Sequence, residues 1–237
     1  MNTTQQQSVT APITPRTIQA EVMDLKKLSP AGYELIIERK NLQFQPGQLV
    51  NLHGRHHMED RSYSICSGIL DPTLSILFRH IPSGVLTPQL VNMKPGDTIT
   101  FSGPYGEFVI RDRNRPLYFF ATGTGLAPCR SYLRSYSGLD LTLIHGVRDP
   151  KDLYYREEFA SIDYQPCVSS TVVTGDAKAF AGRVTDWAIK HELPLEAHYY
   201  LCGANEMIYE MQELLTKRGI GQESIFTEAY YYRSNDA

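Results

Sequence analysis

The chain has 237 residues, enough for one large domain or two small ones, and its 42% hydrophobic and 21% charged residues are ordinary for a soluble globular protein. A net charge of −3 implies no broad attraction to nucleic acid or to an anionic membrane, and no run approaches the length of a membrane span. The four cysteines (Cys66, Cys129, Cys167, Cys202) form no C-x-x-C pair, which argues against a zinc site or an iron–sulfur cluster supplied by this chain. The polar start MNTTQQQSVTAPITP lacks a secretory apolar segment, so the expected location is cytoplasmic, with residues 1–14 as a flexible tail.

Residues 15–112 read as strands. TIQAEVMDLKKLS, YELIIER, GQLVNLHG, DRSYSIC, LSILFRH, DTITFSG and EFVI are short, rich in β-branched and aromatic residues, and broken by Pro, Gly, Asn and Asp. That spacing predicts a small antiparallel β-barrel. PSGVLTPQLVNM interrupts it as a short helix, with Thr87 as cap and Pro88 in the first turn. The charged link RDRN, Arg111 to Asn114, separates two apolar segments and marks the domain boundary.

Residues 113–237 change rhythm. PLYFFATG reads as a buried parallel strand and APCRSYLRSYS as a helix. Strand LDLTLIHGV, helix LYYREEFASI, strand CVSSTVVTG, helix GRVTDWAIKHE, strand AHYYLCG, helix NEMIYEMQELLTKRG and strand SIFTEAYYY follow, with Gly219 closing the last helix. This alternation predicts a doubly wound α/β domain with a mostly parallel sheet. In such sheets ligands sit at the carboxyl ends of the strands, which here are ATGTG, HGVR, TVVTG and LCGAN.

Several stretches carry chemistry weakly when taken singly. In ATGTGLAP, Gly123 and Gly125 allow close approach of a phosphate at a helix start, but Pro128 stands where the dinucleotide fingerprint has its third glycine. In RSYSICSG, Arg61 suits a phosphate, Tyr63 an aromatic ring and Ser64 a ring nitrogen; an ordinary half-buried strand has the same composition. Cys66 and Ser67 are assigned to packing. His53, His56 and His57 in HGRHHMED are read as a hairpin loop rather than a metal shell, because adjacent strand residues face opposite ways; Glu59 and Asp60 are loop charges. YYREEF, 154–159, is read as the outer face of a helix.

Order and spacing say more. P-G-Q (46–48), R-S-Y-S (61–64), G-V-L-T (84–87), G-P-Y-G-E-F (103–108), G-T-G-L-A-P (123–128), C-G-A-N-E-M (202–207) and E-A-Y (228–230) occur in this order. The chain thereby resembles the ferredoxin–NADP reductase family of flavoproteins, from about residue 17 to 232. The resemblance implies an FAD-binding barrel over 15–112 and an NAD(P)-binding α/β domain over 113–237 ending in a flavin-covering tail. It implies Arg61 at the flavin pyrophosphate, Tyr63 stacked on the isoalloxazine and Ser64 by its reactive nitrogen, with Ser62 also among the cofactor-binding residues. Gly84, Val85, Leu86 and Thr87 would form a second phosphate-binding turn. Gly123, Thr124 and Gly125 would face the nicotinamide nucleotide, with Cys202 and Gly203 near the hydride-donating carbon. Glu228 and Tyr230 match the family's terminal E-x-Y; the stacking aromatic is one of Tyr230, Tyr231 and Tyr232. The catalytic set implied is Ser64, Cys202, Glu228 and Tyr230.

The family's 2′-phosphate contacts correspond to Arg148, Thr174 and Arg183. An arginine expected after Thr174 is replaced by Gly175, and Asp176 follows, so NADP and NAD both stand as the dinucleotide. The implied reaction passes a hydride from NAD(P)H to FAD and single electrons onward to a small carrier, ferredoxin or flavodoxin. Alternatives are a ferric-siderophore or cytochrome reductase, or an electron-transfer subunit that works only within a larger complex.

Overall fold

Period-two burial builds the first half. A computed structural model describes residues 17–54, 60–170 and 178–230. Six antiparallel strands run over Thr17–Lys27 (β1), Gly32–Glu38 (β2), Leu49–His53 (β3), Asp60–Ser64 (β4), Thr73–Arg79 (β5) and Thr98–Tyr105 (β6). Their inward residues, among them Val22, Leu35, Ile37, Val50, Leu52, Leu74, Ile76 and Phe101, are fully buried in one core. The order β4-β3-β6-β1-β2-β5 leaves β4 and β5 at the edges. A bridge between Ile65 and Ile76 joins those edges, and the Cys66 N–H donates to the Ser75 carbonyl at 2.8 Å. The sheet thus closes into the expected barrel and leaves no edge to aggregate.

The second half is a parallel sheet of order β10-β9-β8-β7-β11-β12. Its strands are Leu117–Thr122 (β7), Leu141–Val147 (β8), Asp163–Val168 (β9), Phe180–Ala181 (β10), His198–Ala204 (β11) and Ile225–Tyr230 (β12). Apolar runs suit strands covered on both faces. Phe119 and Ala121 face Ala127–Ser135 (α2), while Phe120 packs with Trp187 of Val184–Lys190 (α3) and Met211 of Asn205–Lys217 (α4). Strand order reverses between β7 and β11, so the crevice for a ligand opens at their carboxyl ends.

Three local expectations are corrected. EFVI is not a strand: Phe108 is drawn into the core under α2, and the Phe108 carbonyl takes the Tyr132 hydroxyl instead of a neighbouring strand. LYYREEFASI (153–162) is not an α-helix: a 3-10 turn, Pro150–Asp152, precedes it and another, Glu158–Ser161, lies within it. Tyr155 sits at φ 53 and breaks the helical path, and Leu153, Tyr154 and Phe159 are buried, so YYREEF is no outer face. Thr87 is the first residue of the short helix Thr87–Leu90 (α1) rather than its cap; its hydroxyl ties back to the Ile81 carbonyl and N–H, both at 3.0 Å. Strand β9 ends at Val168, and residues 171–177 of TVVTG lie outside the described residues, as do the tail 1–14 and His56 and His57. Asp60 is not a free loop charge: it meets His53 Nδ1 at 2.6 Å.

Candidate active site between barrel and parallel sheet

The junction of the two sheets holds a buried polar cluster drawn from three strands. Ser64 ends β4 and is 3% exposed. Its Oγ donates to Glu228 Oε1 on β12 at 2.5 Å and accepts from the Tyr230 hydroxyl at 2.7 Å. Cys202, fully buried on β11, points its thiol at the same carboxyl oxygen, 3.9 Å away. Parallel pairing sets Cys202 opposite Glu228, which aligns the two side chains. The sequence-predicted catalytic residues Ser64, Cys202, Glu228 and Tyr230 therefore come together although 164 positions separate Ser64 from Glu228.

Two adjoining cavities of about 500 Å³ each, one of them lined by Ser64, Glu228 and Tyr230 of this cluster, fall within the roughly 300–1,000 Å³ of small-molecule sites. The barrel-side cavity is lined by Arg61, Ser62, Tyr63, Ser64, Gly84, Val85, Leu86, Thr87, Glu228 and Tyr230. The sheet-side cavity is lined by Gly123, Thr124, Arg148 and Arg183 among others. Thr124 and Arg79 line both, so the cavities meet there. Sequence reasoning missed Arg79; the available signal is a cation closing the strand just before the PSGVLT turn. It also missed Glu206 and Glu210, which line the sheet-side cavity. Gly125, Cys202 and Gly203 line neither cavity. A Cβ on Gly125 would overlap the Cys202 carbonyl, and one on Gly203 (φ 128) would strike Thr122. Both glycines serve close packing of the strand-to-helix turn on β11, and the Ala204 N–H donates to Thr122 Oγ1 at 2.8 Å there. Thr174, Tyr231 and Tyr232 lie outside the described residues.

Electrostatics follow from burial. Burial lifts the Glu228 carboxyl to about 7, against the hydrogen bonds from Ser64 and Cys202. Burial, reinforced by the Glu228 charge, pushes the Cys202 thiol well above its ordinary value, so it is a thiol and not a thiolate. His145, fully buried on β8, is held down to about 4 by burial. As a neutral ring its Nε2–H donates to the Gly123 carbonyl at 2.9 Å and so fixes the first turn of the sheet-side cavity. Arg183 faces Glu210 at 3.5 Å across the cavity mouth.

Known proteins bear on this arrangement. Residues 27–110 match the oxidoreductase FAD-binding domain and residues 119–213 the oxidoreductase NAD-binding domain. The toluate 1,2-dioxygenase electron transfer component of Pseudomonas putida is 32% identical over 228 residues, 90% of this chain and 67% of that protein. The chain belongs to the ferredoxin–NADP reductase family. The reductase component of propane 2-monooxygenase from Rhodococcus jostii is 30% identical, covering 92% of this chain and 61% of that protein. The chain thus spans about two thirds or less of the length of these relatives. A ferredoxin NADP+ reductase from Neisseria gonorrhoeae shares the fold, with a TM-score of 0.79 at 21% identity over 91% of this chain and 99% of that one. As a member of this oxidoreductase family, the chain takes FAD together with NAD(P)H. The barrel-side residues fit FAD chemically: a cation (Arg61), an aromatic ring (Tyr63) and the N–H groups of a turn entering α1 are the donor set for a pyrophosphate joined to a flat ring. Among the described residues no helix is long and apolar enough to cross a membrane.

Proposed function

We propose that this chain is the NAD(P)H-oxidising flavoprotein of an electron-transfer system, handing electrons to a small iron–sulfur or flavin carrier such as ferredoxin or flavodoxin. The observation that carries the reading is the Ser64–Glu228–Cys202–Tyr230 cluster, three of whose residues line a cavity fit for FAD that shares Arg79 and Thr124 with a cavity fit for a dinucleotide. Bound FAD supplies the step from two-electron hydride chemistry to one-electron transfer.

The chain's own residues bind, orient and exclude water. Arg61 and the turn from Gly84 to Thr87 hold phosphates, and Tyr63 supplies a stacking face. Ser64 offers a hydroxyl at the ring edge, its orientation fixed by Glu228 and Tyr230. Cys202 is fully buried and neighbours Tyr230, which lines the barrel-side cavity, so a swing of Tyr230 is the movement that would open Cys202 to nicotinamide. Thr124, Arg148 and Arg183 hold the dinucleotide. The oxygenase partners named for the similar reductases favour an oxygenase-linked iron–sulfur protein as acceptor. The four free, buried cysteines fit a reducing cytoplasm.

The test is a visible spectrum of the purified protein after incubation with FAD, followed by NADH and NADPH oxidation with an artificial one-electron acceptor. We expect a yellow protein with turnover. A colourless protein that retains neither FAD nor FMN overturns the reading.

A further inference from the structure

The flavin-strand motif and the nucleotide turn are each continuous with a segment that reaches the other half of the molecule. Beyond Ser64, where the barrel strand ends, the chain runs on as the irregular segment Ile65–Asp71 and lies along α2. Beyond the Gly123 turn the α/β chain runs on as α2 itself. One face of α2 grips this segment at four points. Arg130 Nη1 lies 3.5 Å from Cys66 Sγ, and Ser131 Oγ donates to the Ser67 carbonyl at 2.7 Å. Ser135 Oγ accepts from the Ile69 N–H at 3.0 Å, and Arg134 forks onto Asp71 at 2.8 and 2.9 Å. A Cβ on Gly68 would strike the Arg134 backbone, so the approach is backbone-close.

Arg130 is the buried centre of this grip. It is 7% exposed and pairs with Glu34 on β2 at 2.9 Å, a carboxylate that is itself 4% exposed. It also forks onto Glu158 at 2.8 and 2.9 Å and lies 4.1 Å from the centre of the Tyr155 ring. A planar fork held by two carboxylates and a ring leaves little freedom for either half to slide.

We propose that Arg130, through Glu34 and the 66–71 segment, is a positioning residue for hydride transfer: it sets the distance between the flavin strand and the nucleotide turn. This rests on the flavin and nicotinamide reading above. Glu34 and Glu158 lie in different halves, so Arg130 acts as a pin between them rather than as a brace within one. Burial alone would be met as well by an apolar pair, since replacing a buried ion pair by apolar residues of similar size is commonly neutral for stability. What an apolar pair lacks is a fixed lateral register.

That difference supplies the test. The double variant Arg130→Met with Glu34→Leu is compared with wild type and with Arg130→Lys, which keeps the charge and loses the fork. Single-turnover flavin reduction by NADH, the long-wavelength nicotinamide–flavin charge-transfer band, flavin retention and NADH affinity are measured. Spin labels on Met23→Cys in β1 and Tyr209→Cys in α4, both exposed positions in a protein whose native cysteines are all buried, report the distance between the halves by pulsed electron resonance.

We expect flavin retention and NADH affinity within about twofold of wild type. We expect hydride transfer slower by about tenfold, inside the ~10²-fold that a displacement of about 1 Å can cost. The charge-transfer band weakens, the spin-label distances broaden, and Arg130→Lys falls between. Wild-type distances and a wild-type hydride rate in both variants overturn the proposal. So does a rate that falls only in proportion to lost flavin with the distances unchanged. If wild type itself binds no flavin, the functional reading fails, and the spin-label distances still decide whether Arg130 pins the halves.

Discussion

At the scale of single residues, two buried titratable groups act in opposite directions. Glu228 prefers to be neutral in the fold, its carboxyl raised by burial from the usual 4.5 to about 7. Below pH 4.5 it is protonated in folded and unfolded chains alike. Between 4.5 and 7 the unfolded chain has released a proton that the fold keeps, so this contribution to stability falls as pH rises and is gone above about 7. Glu228→Gln should therefore gain on wild type by roughly 3 kcal/mol between these limits, read from denaturant curves across pH; a constant difference would refute the assignment. His145 is depressed by burial from 6.5 to about 4, so its contribution is present above pH 6.5 and lost as pH falls toward 4. His145→Phe leaves the carbonyl of Gly123, a residue lining the sheet-side cavity, without its donor, a loss of about 0.5–1.5 kcal/mol for one hydrogen bond. NAD(P)H KM should rise and flavin affinity stay unchanged, because the tie serves only the sheet-side turn.

At the scale of elements, β11 and the ends of α3 and α4 shape the sheet-side cavity, proposed above for the dinucleotide. Arg183 opens α3, with its N–H held by Asp186 at 2.8 Å, and its guanidinium faces Glu210 of α4. A 2′-phosphate competes with Glu210 for that cation, whereas a 2′-hydroxyl does not. A hydrogen bond to a charged group contributes about 1.5–3 kcal/mol, so Arg183→Ala should lower kcat/KM for NADPH by about tenfold or more relative to NADH. Glu210→Ala should move the ratio the other way. Coenzyme ratios unmoved by both changes would place the 2′ group elsewhere.

At the scale of the whole molecule, the two halves share a core. Cys66, Leu77 and Phe108 from the barrel half pack in one cluster with Phe119, Tyr132 and Tyr200 of the other. The Ser29 hydroxyl reaches Asp152 at 2.6 Å, and the Tyr154 ring fills the space beside Gly32. Such an interface predicts one cooperative thermal transition rather than two. Phe108→Ala should cost about 3–5 kcal/mol and lower that single transition as a unit; calorimetry that resolves a stable barrel beside a melted α/β half would contradict it.

The sequence by itself determined the two kinds of sheet and where along the chain most of their strands fall, because burial on one face imposes a two-residue period and burial on both faces an apolar run; the order of the strands within each sheet came from the tertiary structure. It also pointed to the motif residues later gathered at the junction, through the resemblance carried by R-S-Y-S, G-T-G-L-A-P and E-A-Y in that order. It misassigned EFVI and LYYREEFASI because both are shaped by contacts with the opposite half rather than by local periodicity: Phe108 answers to the core under α2, and Tyr154 packs against Gly32 of the barrel. Only the tertiary structure decided that Cys66 and Ser67 continue from the flavin strand into the grip of α2. Only it brought Arg79 to the meeting of the two cavities and the Tyr230 hydroxyl onto Ser64. Those facts depend on residues 60 to more than 160 positions apart, and no local pattern encodes a distance of that kind.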